Sequence, residues 1–176
     1  MTTNEIADII LHDLCERSFP IFLTTYQGQC MDEADVFAIN RNGYIYEYEI
    51  KRSRSDFKAE FRNKKHKHLK LSNKDSLKFY DEWKNGKRTG DKSEYIQIPS
   101  RYFFLCPDGL IKPEEVPDYA GLIYVDPSWE YPKEIKRAKL LHKFKANQRI
   151  YERVATILSQ RIIFGCSYFT YKQNKK

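Results

Sequence analysis

Long apolar runs are missing from this sequence, and none approaches the length of a membrane span. A basic start is missing too, and Asp8, His12 and Asp13 interrupt the first apolar residues, so no signal peptide is read there. The expectation is a cytoplasmic protein with no membrane partner. Glycine and proline are scarce, at 7 each in 176 residues, which excludes collagen-like and low-complexity classes. The 4 cysteines, Cys15, Cys30, Cys106 and Cys166, lack the paired spacing of zinc or redox motifs and read as reduced thiols. Aromatics and charge are plentiful, at 15% and 31%. With 41% hydrophobic residues, the chain is long enough and apolar enough for one domain with its own core.

The formal net charge of +7 is unevenly spread. Residues 51–70 hold nine Lys or Arg against two acids, and residues 133–149 hold seven against one. Such separation makes a face for a polyanion or, as the plainer alternative, solvated helix faces. Arg54, Lys58, Arg62, His66 and Lys70 recur every fourth residue, a drifting cationic stripe on a helix that can follow phosphates. Arg52 and Lys65 lie in the same stretch. The basic residues of 133–149 form either a second wall of the same groove or the outer face of an amphipathic helix. His66-x-His68 has the spacing of a metal pair, but the lysines around it disfavour a dication, leaving phosphate contact or solvation.

Thr2 and Glu5 have capping-box spacing, and Ile6, Ile9, Ile10 and Leu14 form an apolar stripe, which predicts a helix over 2–16. Strands are expected over 21–26, 34–39 and 44–51, the last two joined by Asn40-Arg41-Asn42-Gly43 as a hairpin. Ser53 or Ser55 caps a helix beginning near Asp56, with Phe57 and Phe61 anchoring it to the sheet. Residues 72–97 read as a polar, mobile excursion with a short helix around Ser76–Trp83, in which Tyr80 and Trp83 stack on bases or pin the loop. Further strands are expected over 102–106 and 121–125, then one or two helices over 133–163. The order describes a mixed α/β single domain.

Alternation puts Glu47, Glu49 and Lys51 on one face of the second hairpin strand and Tyr46, Tyr48 and Ile50 on the other. Register decides whether Asp35 joins the acids. A three-residue loop at Arg41-Asn42-Gly43, closed by glycine in the left-handed conformation, pairs Asp35 with Glu49. A two-residue loop at Asn42-Gly43 pairs Asp35 with Ile50, on the wrong face. In the first register two carboxylates repel unless a cation lies between them, and hard oxygens suit Mg²⁺ or Mn²⁺. Lys51 then orients the attacking water, and Glu47, one pair further away, is outer or solvated. The alternative for the same residues is an exposed charge ladder worth little.

These residues resemble the PD-(D/E)XK nuclease superfamily, with Asp35 as the first acid and Glu49-Ile50-Lys51 as the E-x-K. The closer resemblance is to MmcB-like DNA-repair proteins, predicted nucleases of that superfamily. It rests on Ala34-Asp35-Val36-Phe37-Ala38-Ile39, Glu49-Ile50-Lys51-Arg52-Ser53, Asp56-Phe57-Lys58, Arg101-Tyr102-Phe103-Phe104-Leu105-Cys106-Pro107 and Ala120-Gly121-Leu122-Ile123-Tyr124-Val125-Asp126. It spans most of residues 34–165 and is interrupted at 72–97; Ala34 stands where the superfamily's name has proline.

The resemblance implies a restriction-endonuclease-like core, a central mixed sheet flanked by helices. It implies Mg²⁺ or Mn²⁺ as cofactor and hydrolysis of DNA phosphodiester bonds in repair, recombination or phage DNA processing. Asp35 and Glu49 are the implied ligands, with the Ile50 carbonyl as another. Glu5 has the spacing of the first-helix acid of resolvase-like members, against its role in the capping box. Those relatives often pair, so a homodimer is compatible. Members of the superfamily also lose cleavage and keep binding, which makes a non-cleaving DNA-binding module the alternative.

Overall fold

The computed structural model describes residues 1–26, 33–72 and 98–164. The chain divides into two compact units, Met1–Ala146 and Asn147–Lys176. In the first, helix α1 (Thr3–Glu16) precedes β1 (Ile21–Tyr26), β2 (Ala34–Ile39) and β3 (Ile45–Ile50). Helices α2 (Arg54–Asn63) and α3 (Lys65–Ser72) follow, then β4 (Arg101–Pro107), β5 (Ala120–Val125) and β6 (Lys133–Lys136). The second unit carries helix α4 (Gln148–Phe164), with Ile150, Val154 and Ile157 buried. The expected excursion, its short helix, Tyr80, Trp83, Cys30 and Cys166 lie outside the described residues.

The strands form one mixed sheet in sequence order. β1, β2 and β3 pair antiparallel, β3–β4 and β4–β5 pair parallel, and β6 returns antiparallel on β5. The expected central mixed sheet with flanking helices is thus present. Ile6, Ile10 and Leu14 of α1 pack with Val36, Tyr48, Ile50 and Leu105 on one face. Phe57 and Leu71 of α2 and α3 pack with Tyr102, Phe104, Cys106 and Leu122 on the other. No described helix is long and apolar enough to cross a membrane.

Local chemistry explains the element ends. Thr2 Oγ1 accepts from Glu5 N–H at 3.2 Å and Glu5 Oε2 accepts from Thr2 N–H at 2.7 Å, closing the capping box. Ser18, with φ at 55°, turns the chain out of α1 while Phe19 N–H donates to the Leu14 carbonyl at 2.9 Å. Gly121 is required by close approach, since a Cβ there would sit 2.5 Å from the Phe103 ring.

Residues 133–147 correct the expected helix. Only α4 is helical; β6 precedes it, and the segment between has no regular secondary structure. It is tied to the sheet domain instead of to itself. Leu141 N–H donates to Ser100 O at 2.9 Å, His142 Nε2 lies 2.8 Å from Ile98 O, and Ala146 N–H donates to Gly43 O at 2.8 Å. Charges spaced three or four apart imitate a helix face, but these backbone partners win.

Candidate functional site

The hairpin turn sets the site. Gly43 has φ at 82°, its N–H donates to Asn40 O at 2.9 Å, and Asn40 N–H donates to Tyr44 O at 3.0 Å. Asn40 Oδ1 also accepts from Asn42 and Tyr44 N–H at 3.0 and 2.9 Å. This is the three-residue loop, and Val36 pairs with Tyr48 and Ile39 with Ile45 as it requires. One pair further, Asp35 comes opposite Glu49, and its Oδ2 accepts from Ile50 N–H at 2.8 Å.

Thr25 is a feature the sequence did not flag. It has φ at 47°, a costly conformation for a β-branched residue, and the β1–β2 ladder omits the Thr25–Asp35 pair. The distortion falls beside the first acid, and the ladder resumes at Tyr26 and Ala34.

The acids of β3 are buried, which corrects the outer or solvated position expected for Glu47. Glu47 and Glu49 are each 1% exposed and Lys51 is 4% exposed. Their partners come from α2 and α3. Lys51 Nζ lies 2.8 Å from Glu60 Oε2 and 3.3 Å from Glu49 Oε1. Lys64 pairs with Glu49 Oε1 and lies 3.5 Å from Glu60 Oε2. Lys67 pairs with Glu47, lies 3.3 Å from Glu49 Oε2 and donates to Glu33 O at 2.7 Å. His68 Nε2 lies 3.2 Å from Glu60 Oε1, and its Nδ1 lies 2.7 Å from the Tyr119 hydroxyl.

Burial, then the Glu49 charge, pushes the Asp35 carboxyl up to about 6. Burial likewise pushes Glu47 up to about 7, against the charge and hydrogen bond of Lys67. Burial acts to raise Glu60 as well, but hydrogen bonds from His68 and Lys51 hold it well below its ordinary range. The lysines Lys64 and Lys67 are raised despite desolvation, because Glu47 and Glu49 favour their charged forms.

Asp35, Glu49, Ile50 and Lys51 line an open cleft of about 970 Å³, with Arg52, Asp56, Glu60, Arg62 and Lys64 on the α2 side. Met1 and Thr3 line it too, but Glu5 does not; it is exposed and occupied by the capping box. Among the DNA-contact residues expected, Arg52 and Arg62 reach this cleft, while Lys58, Lys65, His66 and Lys70 do not line it. Arg54 is turned to Glu115, with Nη1 to Oε2 at 3.0 Å. The helix breaks at Lys64, so the four-residue stripe is not continuous. Within the first unit, the basic residues of 133–146 do not line the cleft: Lys136 donates to the Pro113 carbonyl at 3.3 Å, Lys139 lies 3.3 Å from Asp118, and Lys133 sits 3.5 Å over Trp129.

Glu60, Lys64, Lys67 and His68 are the site residues that sequence reasoning missed. Phe57 and Phe61 mark the inward face of α2 that carries Glu60, and Leu71 the inward face of α3 that carries Lys67 and His68.

No group of three or more His, Cys, Asp and Glu stands as a ready metal cage among the described residues. Mg²⁺, however, keeps several waters and is held by one or two carboxylates plus substrate phosphates. The Asp35–Glu49 corner offers that donor set, and burial together with the Glu49 charge keeps the Asp35 carboxyl raised. The ion fits if Lys64 gives way, because that ammonium now takes Glu49 Oε1.

The chain is similar in fold to the SPO1766 protein of unknown function from Silicibacter pomeroyi. The TM-score is 0.58 at 18% identity, over 92% of this chain and 90% of that one. No family model matches the chain, and no curated protein does.

Proposed function

We propose that this protein is a metal-dependent nuclease of the PD-(D/E)XK type that hydrolyses DNA phosphodiester bonds. The observation that supports it is the placement of Asp35, Glu49 and Lys51 together on the floor of a cleft with Arg52, Arg62 and Lys64 on its side. Asp35, Glu49 and the Ile50 carbonyl are the residues to hold Mg²⁺ or Mn²⁺. A bound ion of this kind supplies Lewis acidity at a phosphoryl oxygen and an acidified water. Lys51, fixed by Glu60 at 2.8 Å, adds positive charge where a phosphorane gathers negative charge. Arg52 and Arg62 hold the backbone by sequence-independent contacts.

The test is cleavage of plasmid, single-stranded and branched DNA by wild type and Glu49→Gln, with Mg²⁺, Mn²⁺ or EDTA. Metal-dependent cleavage reduced by on the order of a hundredfold or more in Glu49→Gln is expected, since even outer-shell partners of metals count 10–100-fold. The second reading is a non-cleaving DNA-binding module. It is favoured by the lysines that already neutralise Glu49. Absent cleavage in every arm, with salt-dependent binding shared by both proteins, selects it; no binding at low salt removes both readings.

A further inference from the structure

The sheet face opposite the carboxylates carries a second, smaller cavity of about 160 Å³. Arg17, Tyr46, Tyr48, Arg101, Glu134 and Arg137 line it, and the Phe103 and Ile123 side chains close its floor. The residues arrive from separate places: the end of α1, the middle of β3, the start of β4, and β6 with the residue beyond it. Bringing three arginines together from distant sequence positions costs mutual repulsion unless an anion or carboxylates answer them.

The carboxylates answer only part of that charge. Asp13 takes Arg17 Nη1 at 3.1 Å. Glu134 lines the cavity and is exposed, with no ion pair among the described residues. Arg101 gives Nη1 to the Ala138 carbonyl. Arg137 has neither a hydrogen bond nor an ion pair among the described residues.

Tyr48 is the second, independent observation. It is 1% exposed, its ring stacks on Phe103 with centroids 5.2 Å apart, and it lines the cavity. Its hydroxyl is not sealed in the core. A hydroxyl on the wall of a cavity is available as a donor to what enters it. Burial holds the phenol far above its ordinary pKa, which keeps it a donor. A neutral donor among guanidinium forks suits an oxyanion.

We propose that this cavity binds a phosphate group, as the free anion or as a phosphomonoester, through Arg17, Arg101, Arg137 and the Tyr48 hydroxyl. The space accepts a tetrahedral oxyanion with its rim open to an ester substituent. The site stands on the other face of the sheet from the cleft and does not depend on the nuclease reading. Its ligand would fasten α1, β3, β4 and β6 to one another.

Calorimetric titration with inorganic phosphate and with a nucleoside 5′-monophosphate, at matched ionic strength, tests this on wild type, Tyr48→Phe and Arg137→Gln. Saturable binding is expected, weakened about tenfold in each variant, as for a lost hydrogen bond to a charged group. Tyr48→Phe removes one oxygen and Arg137 is exposed, so circular dichroism in phosphate-free buffer is expected to match wild type. Equal affinity for the two probes identifies the free anion as sufficient; tighter binding of the monophosphate identifies a phosphomonoester. No saturable binding of either probe, or affinity unchanged in both variants, overturns the proposal.

Discussion

Along β3, Tyr48 is as dry as the Glu47 and Glu49 that flank it, each at 1% exposure, yet the two sides of the strand meet opposite chemistry. Tyr48 and Ile50 join Ile6, Ile10, Leu14 and Leu105 in an apolar layer. Glu47 and Glu49 meet Lys51, Lys64 and Lys67, with Glu60 and His68 behind. The apolar side gains roughly 25 cal/mol for each Å² removed from water. The charged side loses hydration, and its ion pairs recover about what that loss costs. Equal burial therefore does not mean equal contribution to stability. A network that adds little to the fold while crowding charge beneath an open cleft is the feature that the proposed function would use.

The comparison breaks or holds first at Lys67. Lys67→Met leaves the Glu47 carboxylate buried beside Glu49 without its main cation, and a loss of about 3–5 kcal/mol is expected at pH 8. Glu47 already has its folded pKa raised to about 7, and losing Lys67 raises it further. A raised folded pKa gives stability that is present below the unfolded value, near 4.5, and lost as pH rises through the folded one. The penalty of Lys67→Met should thus shrink strongly by pH 5. Ile10→Ala, on the apolar side, should cost about 3 kcal/mol with no such slope. Urea unfolding of both variants at pH 8 and pH 5 measures this, and parallel pH profiles would remove the distinction between the two sides.

The apolar side was the more legible in the sequence. The capping box and the Ile6, Ile10, Leu14 stripe mark α1. Asn40 and Gly43 mark the hairpin, while its register, left open between two loops by the sequence, is settled by the structure. Glu49 and Lys51 share a face by alternation, and the observed register brings Asp35 to them. Their partners were not readable, because a lysine looks like solvated surface until a buried acid claims it. Lys64 and Lys67 were counted as part of a basic run, whereas long-range pairing turns them inward. The segment after β6 was misread because its partners, Ile98, Ser100 and Gly43, are distant in sequence. Thr25 gives no sequence signal of its left-handed backbone.

Asp35 gives a smaller effect with the opposite sign. Its carboxyl is raised to about 6 from 3.8, so its ionised form opposes folding at pH 8. Asp35→Asn keeps an oxygen for Ile50 N–H and removes the charge, and should stabilise by on the order of 1–2 kcal/mol at pH 8. The gain should be roughly halved near pH 5 and absent below the unfolded pKa. Thermal melts across that range check it, with about 2–4 °C per kcal/mol expected for a chain of this size. A variant less stable than wild type at pH 8 would mean that Asp35 is already neutralised by the lysines around it.

Gly43 gives the smallest effect and tests what both sides of β3 share, their register. Its φ of 82° is strained for any side chain, and a Cβ would lie 3.2 Å from Lys145 Cβ. Gly43→Ala should cost about 1–2 kcal/mol if the loop keeps its shape. The alternative outcome is a shift to a two-residue loop, which would turn Glu47 and Glu49 toward the apolar layer and Tyr48 toward the lysines. That inversion is far costlier than the strain, so the loop should hold and cleavage or DNA binding should persist at near wild-type level. A loss of several kcal/mol together with loss of DNA activity would instead show that the turn, more than the burial pattern of β3, decides which face the acids take.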